Sequence, residues 1–144
     1  MNPPPETYPD PSTLLPHSGP MVLIRKIQTI GSGCDSIACQ TGFSDPAFFG
    51  SETGVPIPWG IEIIAQACAI LISIRKRDSG ITQGRLLKCK SFTFHTTHLP
   101  FHTSLMVSAQ CKSEGSNGLW TFEGSIADAS GLVFINGDMS ILVQ

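Results

Sequence analysis

A chain of 144 residues is long enough for one domain with a core of its own. Hydrophobic residues make up 41% and charged residues 14%, a balance that excludes a disordered chain. Nine Lys and Arg against eleven Asp and Glu give a formal charge of -2, which excludes the large basic footprint of a nucleic-acid-binding protein.

Residues 1–11, MNPPPETYPDP, carry five prolines and predict a flexible, extended arm ahead of a single domain over 12–144. They show no basic region followed by an apolar run, so no secretory signal is expected. STLLPH (12–17) reads as a turn or a one-turn helix, capped by Ser12 or Thr13. A strand is expected from Met21 to Ile30, then a turn at GSGCD (31–35). SIACQTGF follows as a second strand, with Ile37, Cys39, Thr41 and Phe43 on one face and Ser36, Ala38 and Gln40 on the other. Residues 44–57 hold two prolines and two glycines and read as a loop.

A helix is expected from Pro58 to Ser79, with proline in its first turn, the basic RKR (75–77) near its end and Gly80 as its stop. Its apolar run is shorter than the roughly 20 residues that span a bilayer, and it contains Glu62 and Gln66, so no membrane span is expected. The second half reads as strands: RLLKCKSFTF, a loop at THLPFHT (97–103), SLMVSAQC, a hairpin turn at GSNG (115–118), LWTFEGSIA, a turn at DASG, and LVFINGDMSILV.

Two strands, one long helix and four strands lack the repeat of a doubly wound sheet. They predict an α+β fold in which a curved antiparallel β-sheet wraps one long central helix. A helix apolar on nearly all faces needs cover all round, and such a sheet has edges, so a dimer is expected. Five scattered cysteines without a Cys-x-x-Cys pair read as buried free thiols in a reducing compartment, the cytoplasm. HTTHLPFH does not match a zinc spacing, and GSG and GSNG are turns, not a nucleotide loop, so neither metal nor cofactor is expected.

Glu62 and Gln66 stand four apart and share a helix face near the helix start. Burying an unpaired carboxylate costs several kcal/mol, which favours the protonated acid. The helix N-terminus favours the anion by roughly a kcal/mol or less. A carboxyl poised between the two suits a general acid; a structural Glu that reaches solvent or caps the helix is the alternative.

LLPHSGPMVLIRKI and PIPWGIEIIAQACAIL together resemble the hot-dog fold 3-hydroxyacyl-acyl carrier protein dehydratases. The first is similar to that family's Leu-Pro-His opening ahead of an apolar strand. The second is similar to its Pro-Gly helix start and Glu-x-x-Ala-Gln, here Glu62 to Gln66. The Trp-Gly-Ile-Glu form resembles the divergent subgroup of aryl polyene type clusters.

The resemblance implies elimination of water from a 3-hydroxyacyl thioester on acyl carrier protein, giving a 2-enoyl thioester. It implies dimers whose sites join a His and a carboxyl from opposite subunits. Carried over, Glu62 is the acid, Gln66 orients it, and a backbone N–H near Gly60 binds the thioester oxygen. The family's Gly-His-Phe-Pro loop reads FFGSETGVPIP here, without a His. Of the remaining histidines His17, in LPHSGP, is the first candidate for the base. His98 and Trp59 are candidates for the substrate pocket, as loop histidine and core tryptophan respectively in the structural alternative. Arg25, Lys26, Arg75, Lys76, Arg77, Arg85, Lys88 and Lys90 either dock an acidic carrier protein with its phosphopantetheine-linked acyl chain or form a solvated face.

Three functions follow: a dehydratase using His17 and Glu62, an acyl thioesterase on the same architecture, or a non-catalytic or half-site subunit completed by a second hot-dog subunit.

Overall fold

The computed structural model describes residues 7–76 and 84–143. Its elements in chain order are β1 (Lys26–Ile30), β2 (Ser36–Thr41), a single helical turn α1 (Pro46–Phe49), β3 (Val55–Pro56), the long helix α2 (Trp59–Lys76), β4 (Gly84–Phe94), β5 (His98–Leu99), β6 (Leu105–Glu114), β7 (Leu119–Asp128) and β8 (Val133–Val143). Six strands form one antiparallel sheet in the order β1-β2-β6-β7-β8-β4, while β3 and β5 pair separately. The large sheet wraps α2, which touches β2, β4, β6, β7 and β8.

The period-two pattern of the strands sets which face meets the helix. Ile37, Cys39 and Thr41 of β2, Leu105 and Val107 of β6, and Trp120, Phe122 and Ile126 of β7 are all buried. From α2 they meet Ile63, Ile64, Ala67, Cys68, Ile70 and Leu71, each with no exposed surface. Full burial of one such branched side chain stabilises by about 1.5–3 kcal/mol. Ala109, Gly124 and Gly137 lie side by side on neighbouring strands. A Cβ on Gly124 would stand 2.4 Å from Ile64 Cγ2, so the missing side chain lets the helix lie close to the sheet.

Several expectations are corrected. The first strand starts at Lys26, not Met21, because side chains occupy the backbone of Leu23: its N–H donates to Gln66 Oε1 and its carbonyl accepts from Thr41 Oγ1. Asp10, not Ser12 or Thr13, caps the turn Pro11–Thr13, accepting from Ser12 N at 2.9 Å. The arm's Tyr8 packs against the core and Pro11 is buried, so its last residues belong to the folded body. The loop over 44–57 contains α1 and β3, and the loop over 97–103 contains β5. The expected helix residues 77–79 and the stop at Gly80 lie outside the described residues. All five cysteines are free, but only Cys39 and Cys68 are buried, and Cys89 is exposed.

This chain alone does not cover α2 all round. Ile61, Ala65 and Ala69, each four residues from the next, form a half-buried stripe along it. β1 and β4 are the open sheet edges, and Phe94 near the end of β4 is 47% exposed. Among the described residues no helix is long and apolar enough to cross a membrane.

Candidate active site

The site is built where the segment before β1 crosses the start of α2. Prolines and glycine shape that segment: Gly19, with φ of +58°, and Pro20 form a tight turn over Gly19–Met21, just after His17. The chain then runs extended into the core at Val22, Leu23 and Ile24.

Gln66 fastens this segment to the helix. It is only 1% exposed, yet its amide is fully occupied. Nε2 donates to the Met21 carbonyl at 2.7 Å and to Glu62 Oε1 at 3.2 Å, and Oε1 accepts the Leu23 N–H at 2.8 Å. A buried polar side chain is tolerated when its hydrogen bonds are made. The expected role of Gln66 as a partner for Glu62 is therefore one part of a wider clamp.

The clamp sets His17 over Glu62. His17 Nε2 lies 3.1 Å from Glu62 Oε1, with the two side chains 28% and 37% exposed. Both residues come from one chain, where the resemblance implied opposite subunits. Glu62 is not a sealed carboxyl: solvent, an imidazole and an amide all reach it, so the expected cost of an unpaired buried anion does not arise. Its Oε1 accepts from Gln66 and faces His17 at once. Among the described residues the buried His17 Nδ1 has no hydrogen-bond partner, and the ring's polar contact is the one to Glu62.

The other expected residues fall elsewhere. The Gly60 N–H is not free for a thioester oxygen, because it donates to the Ile57 carbonyl at 2.8 Å. A Cβ at Gly60 would lie 3.1 Å from Ile135 Cδ1, so this glycine serves the contact between helix and sheet. Trp59 is half-buried in an aromatic cluster, with ring centroids 5.6 Å from Phe48 and 5.3 Å from Phe49. His98 sits on β5 with Nδ1 3.0 Å from Thr97 Oγ1, and the His17–Glu62 pair is not its partner.

The basic residues separate into two groups. Arg75 pairs with Glu114 at 2.8 Å and Asp35 at 3.7 Å, and its guanidinium lies over Trp120. Lys76 pairs with Glu114 at 2.7 Å. Both are engaged within the chain and do not form an open docking face. Lys26, Lys88 and Lys90 are exposed. Arg77 and the side chain of Arg85 lie outside the described residues.

Sequence reasoning set Thr41 on one face with Ile37 and Cys39 but missed its hydrogen bond, and it missed the aromatic cluster. Thr41 had a signal: a hydroxyl in the buried register of β2 needs an acceptor, and it finds the Leu23 carbonyl. Phe48 and Phe49 lay in a stretch read only as loop.

The model of the ApeP-like family, ApeP dehydratase, matches residues 9–143. The chain belongs to the ApeP-like dehydratase family. No curated protein matches the sequence. Among solved structures, the dehydratase heterocomplex ApeI:P from Xenorhabdus doucetiae is similar with a TM-score of 0.84 and 20% identity, over 96% of this chain and 93% of that one. A hypothetical thioesterase protein with coenzyme A from Streptococcus pneumoniae is similar with a TM-score of 0.63 and 13% identity, over 83% of this chain and 84% of that one. These likenesses establish the architecture as the hot-dog fold. For this ApeP-like chain the dehydratase family, not the thioesterase architecture it shares, sets the class of reaction.

Proposed function

We propose that the chain acts in the elimination of water from 3-hydroxyacyl thioesters carried on acyl carrier protein, with His17 and Glu62 as its acid–base pair. The observation that carries this reading is the 3.1 Å contact between them, half-open to solvent and held by a buried clamp. Closed, the contact has no room for a carbon chain, so substrate works on the pair by parting it. His17 then takes the C2 proton on Nε2, and protonated Glu62 gives its proton to the C3 hydroxyl. Water leaves and the C2–C3 double bond forms. When the side chains meet again, the proton on Nε2 returns to Glu62, and both are ready for another cycle.

A second subunit belongs in this proposal. The loop ahead of α2 holds no histidine, the Ile61–Ala65–Ala69 stripe is half-open, and a similar structure is a heterocomplex. The chain then forms one part of a dimer, with itself or with a second hot-dog subunit, in the cytoplasm where its thiols stay free.

The test is enoyl absorbance with a 3-hydroxyacyl thioester, for the wild type, Glu62→Gln and His17→Ala. Full activity in both variants removes the assignment. An inert chain that gains activity on mixing with a second hot-dog subunit, and keeps it when His17 and Glu62 are replaced, makes this a non-catalytic partner. Thiol release without enoyl formation makes it a thioesterase.

A further inference from the structure

Three hydrogen bonds run head to tail from Arg25 to Glu62. Arg25 Nη1 donates to the Val22 carbonyl at 2.8 Å. The N–H of that same peptide unit, on Leu23, donates to Gln66 Oε1 at 2.8 Å. The other end of the side-chain amide, Nε2, donates to Glu62 Oε1 at 3.2 Å. The oxygen that closes the series is the one that faces His17 Nε2 at 3.1 Å. A backbone amide and a side-chain amide thus stand in line between a guanidinium and the acid.

Each link depends on the one before it. The Gln66 amide would keep its shape if it were turned over, so its partners decide which end is which. Leu23 offers a donor, whereas the Met21 carbonyl and the Glu62 carboxyl offer acceptors. Turned over, the amide would set a donor against the Leu23 N–H and an oxygen against both acceptors. Nε2 is therefore presented to Glu62 because the Leu23 N–H is aimed at Oε1. Leu23 lies ahead of β1, so side chains and not a strand ladder set its peptide planes. Arg25 holds the Val22 carbonyl on one side, and Thr41 Oγ1 donates to the Leu23 carbonyl on the other.

Arg25 is itself anchored. Its Nε donates to the Gly42 carbonyl at 3.4 Å, and its guanidinium lies 5.4 Å from the Phe43 ring centroid. Among the described residues no carboxylate forms an ion pair with it. A cation that donates to a peptide carbonyl makes a charge-assisted bond. It polarises the peptide and strengthens what the N–H donates in turn, by about 10–30% per bond along such a series. We propose that Arg25 is a positioning residue for Glu62, acting through the Val22–Leu23 peptide and the Gln66 amide. It holds the Leu23 N–H on Gln66 and, through that amide, the carboxyl at the angle at which it meets His17. The role of Glu62 as the acid rests on the dehydratase reading; the series of bonds does not.

Arg25→Met and Arg25→Lys in the full chain test this. Met keeps an apolar stem beside Phe43 but donates nothing, and Lys keeps a charged donor. Neither keeps the Nε bond to Gly42, so recovery in Arg25→Lys assigns an effect to Val22. The first readout is the NMR resonances of the Leu23 amide and the Gln66 side-chain amide. Arg25→Met is expected to move the Leu23 amide proton upfield and to shift the Gln66 amide with it, and Arg25→Lys to bring both most of the way back. The second readout is enoyl formation by the chain, with a second hot-dog subunit where activity needs one. In Arg25→Met kcat is expected to fall about tenfold with KM within about twofold, less than the roughly 10²-fold that a misplacement of about 1 Å costs. In a Gln66→Leu background, where the series is already cut, Arg25→Met is expected to lower kcat no further. Unmoved resonances in Arg25→Met overturn the proposal whatever the rate. So does a fall in kcat that is as large in the Gln66→Leu background, or a rise in KM at unchanged kcat, which puts Arg25 on the substrate instead. A wild-type chain that forms no enoyl product loses the dehydratase reading alone, and the resonances then decide the series by themselves.

Discussion

The backbone N–H of Leu23 donates to Gln66 Oε1 at 2.8 Å, across 43 residues of sequence. The other end of the same amide takes the Met21 carbonyl at 2.7 Å. Replacing Gln66 by Leu keeps most of the volume and leaves both backbone groups without a partner. The expected loss is about 1–3 kcal/mol, the cost of orphaning the buried Leu23 N–H, with less from the part-buried Met21 carbonyl that water can reach. Urea unfolding measures it, and hydrogen exchange at the Leu23 amide should accelerate in the same variant. An unchanged unfolding midpoint would show that the clamp contributes nothing.

Glu62 and His17 should separate activity from stability. Both side chains are partly exposed, so breaking their contact is expected to change stability by about 1 kcal/mol or less. Loss of a general acid or base typically lowers the rate by about 10²–10⁴-fold. Glu62→Gln and His17→Ala should each show that fall at a nearly unchanged melting temperature. The double variant should be little worse than either, because the two act as a unit. Steady-state rates of enoyl formation, beside thermal melts, decide this.

Two glycines test where the helix meets the sheet. Gly124→Ala drives a Cβ to 2.4 Å from Ile64 Cγ2 and 3.2 Å from the Ser108 carbonyl, for an expected loss of about 1–3 kcal/mol. Ile64→Ala should cost less in the Gly124→Ala background than in the wild type, as neighbours in contact couple. Gly60→Ala meets the Cδ1 and Cγ2 methyls of Ile135 at 3.1 and 3.2 Å and Ile126 Cδ1 at 3.5 Å, and gains helix propensity of about 1 kcal/mol. It is expected to stay within about 1 kcal/mol of the wild type and to keep its activity. A large fall in kcat at unchanged stability would restore Gly60 to the reacting site.

Burial raises the Cys39 thiol from its ordinary 9.0 to about 12, and Cys68 is raised further by burial, with smaller contributions from Cys111 and Cys39. The unfolded chain loses these protons near the ordinary value while the folded chain keeps them. Stability contributed by the neutral thiols is therefore intact below about pH 9 and falls as pH rises toward 12. The slope is about 1.4 kcal/mol per pH unit for each thiol. Unfolding in urea between pH 8 and pH 11 should show a declining midpoint, and Cys39→Ala should flatten the decline. A thiol reagent at pH 8 should label exposed Cys89 first and leave Cys39 and Cys68 untouched until the chain unfolds.

Much of the architecture was legible because strand alternation is a local signal. Ile37, Cys39, Leu105 and Val107 face the core as their spacing requires. The His17–Glu62 pair was legible as two residues but not as a contact. The sequence does not display that an amide at Gln66 replaces a ladder partner for Leu23, and this substitution both delays β1 and delivers His17. The short pairing of β3 with β5 was hidden because proline and glycine near Val55 read as loop. The expected donor near Gly60 is not the Gly60 N–H itself, because a turn closing on Ile57 consumes it, a matter of backbone path that composition does not carry.

Residues 14–23 are tied to α2 at separate points: Leu14 to Ser73 Oγ at 2.9 Å, His17 to Glu62, and Met21 and Leu23 to Gln66. The strap buries Leu15, Val22 and Leu23 in the core, and the His17 imidazole rides on it. A protease nick in the strap, or a bulky fusion just upstream of it, is thus expected to part His17 from Glu62 and to lower the melting temperature at the same time. One short segment thus serves the core and the candidate site together.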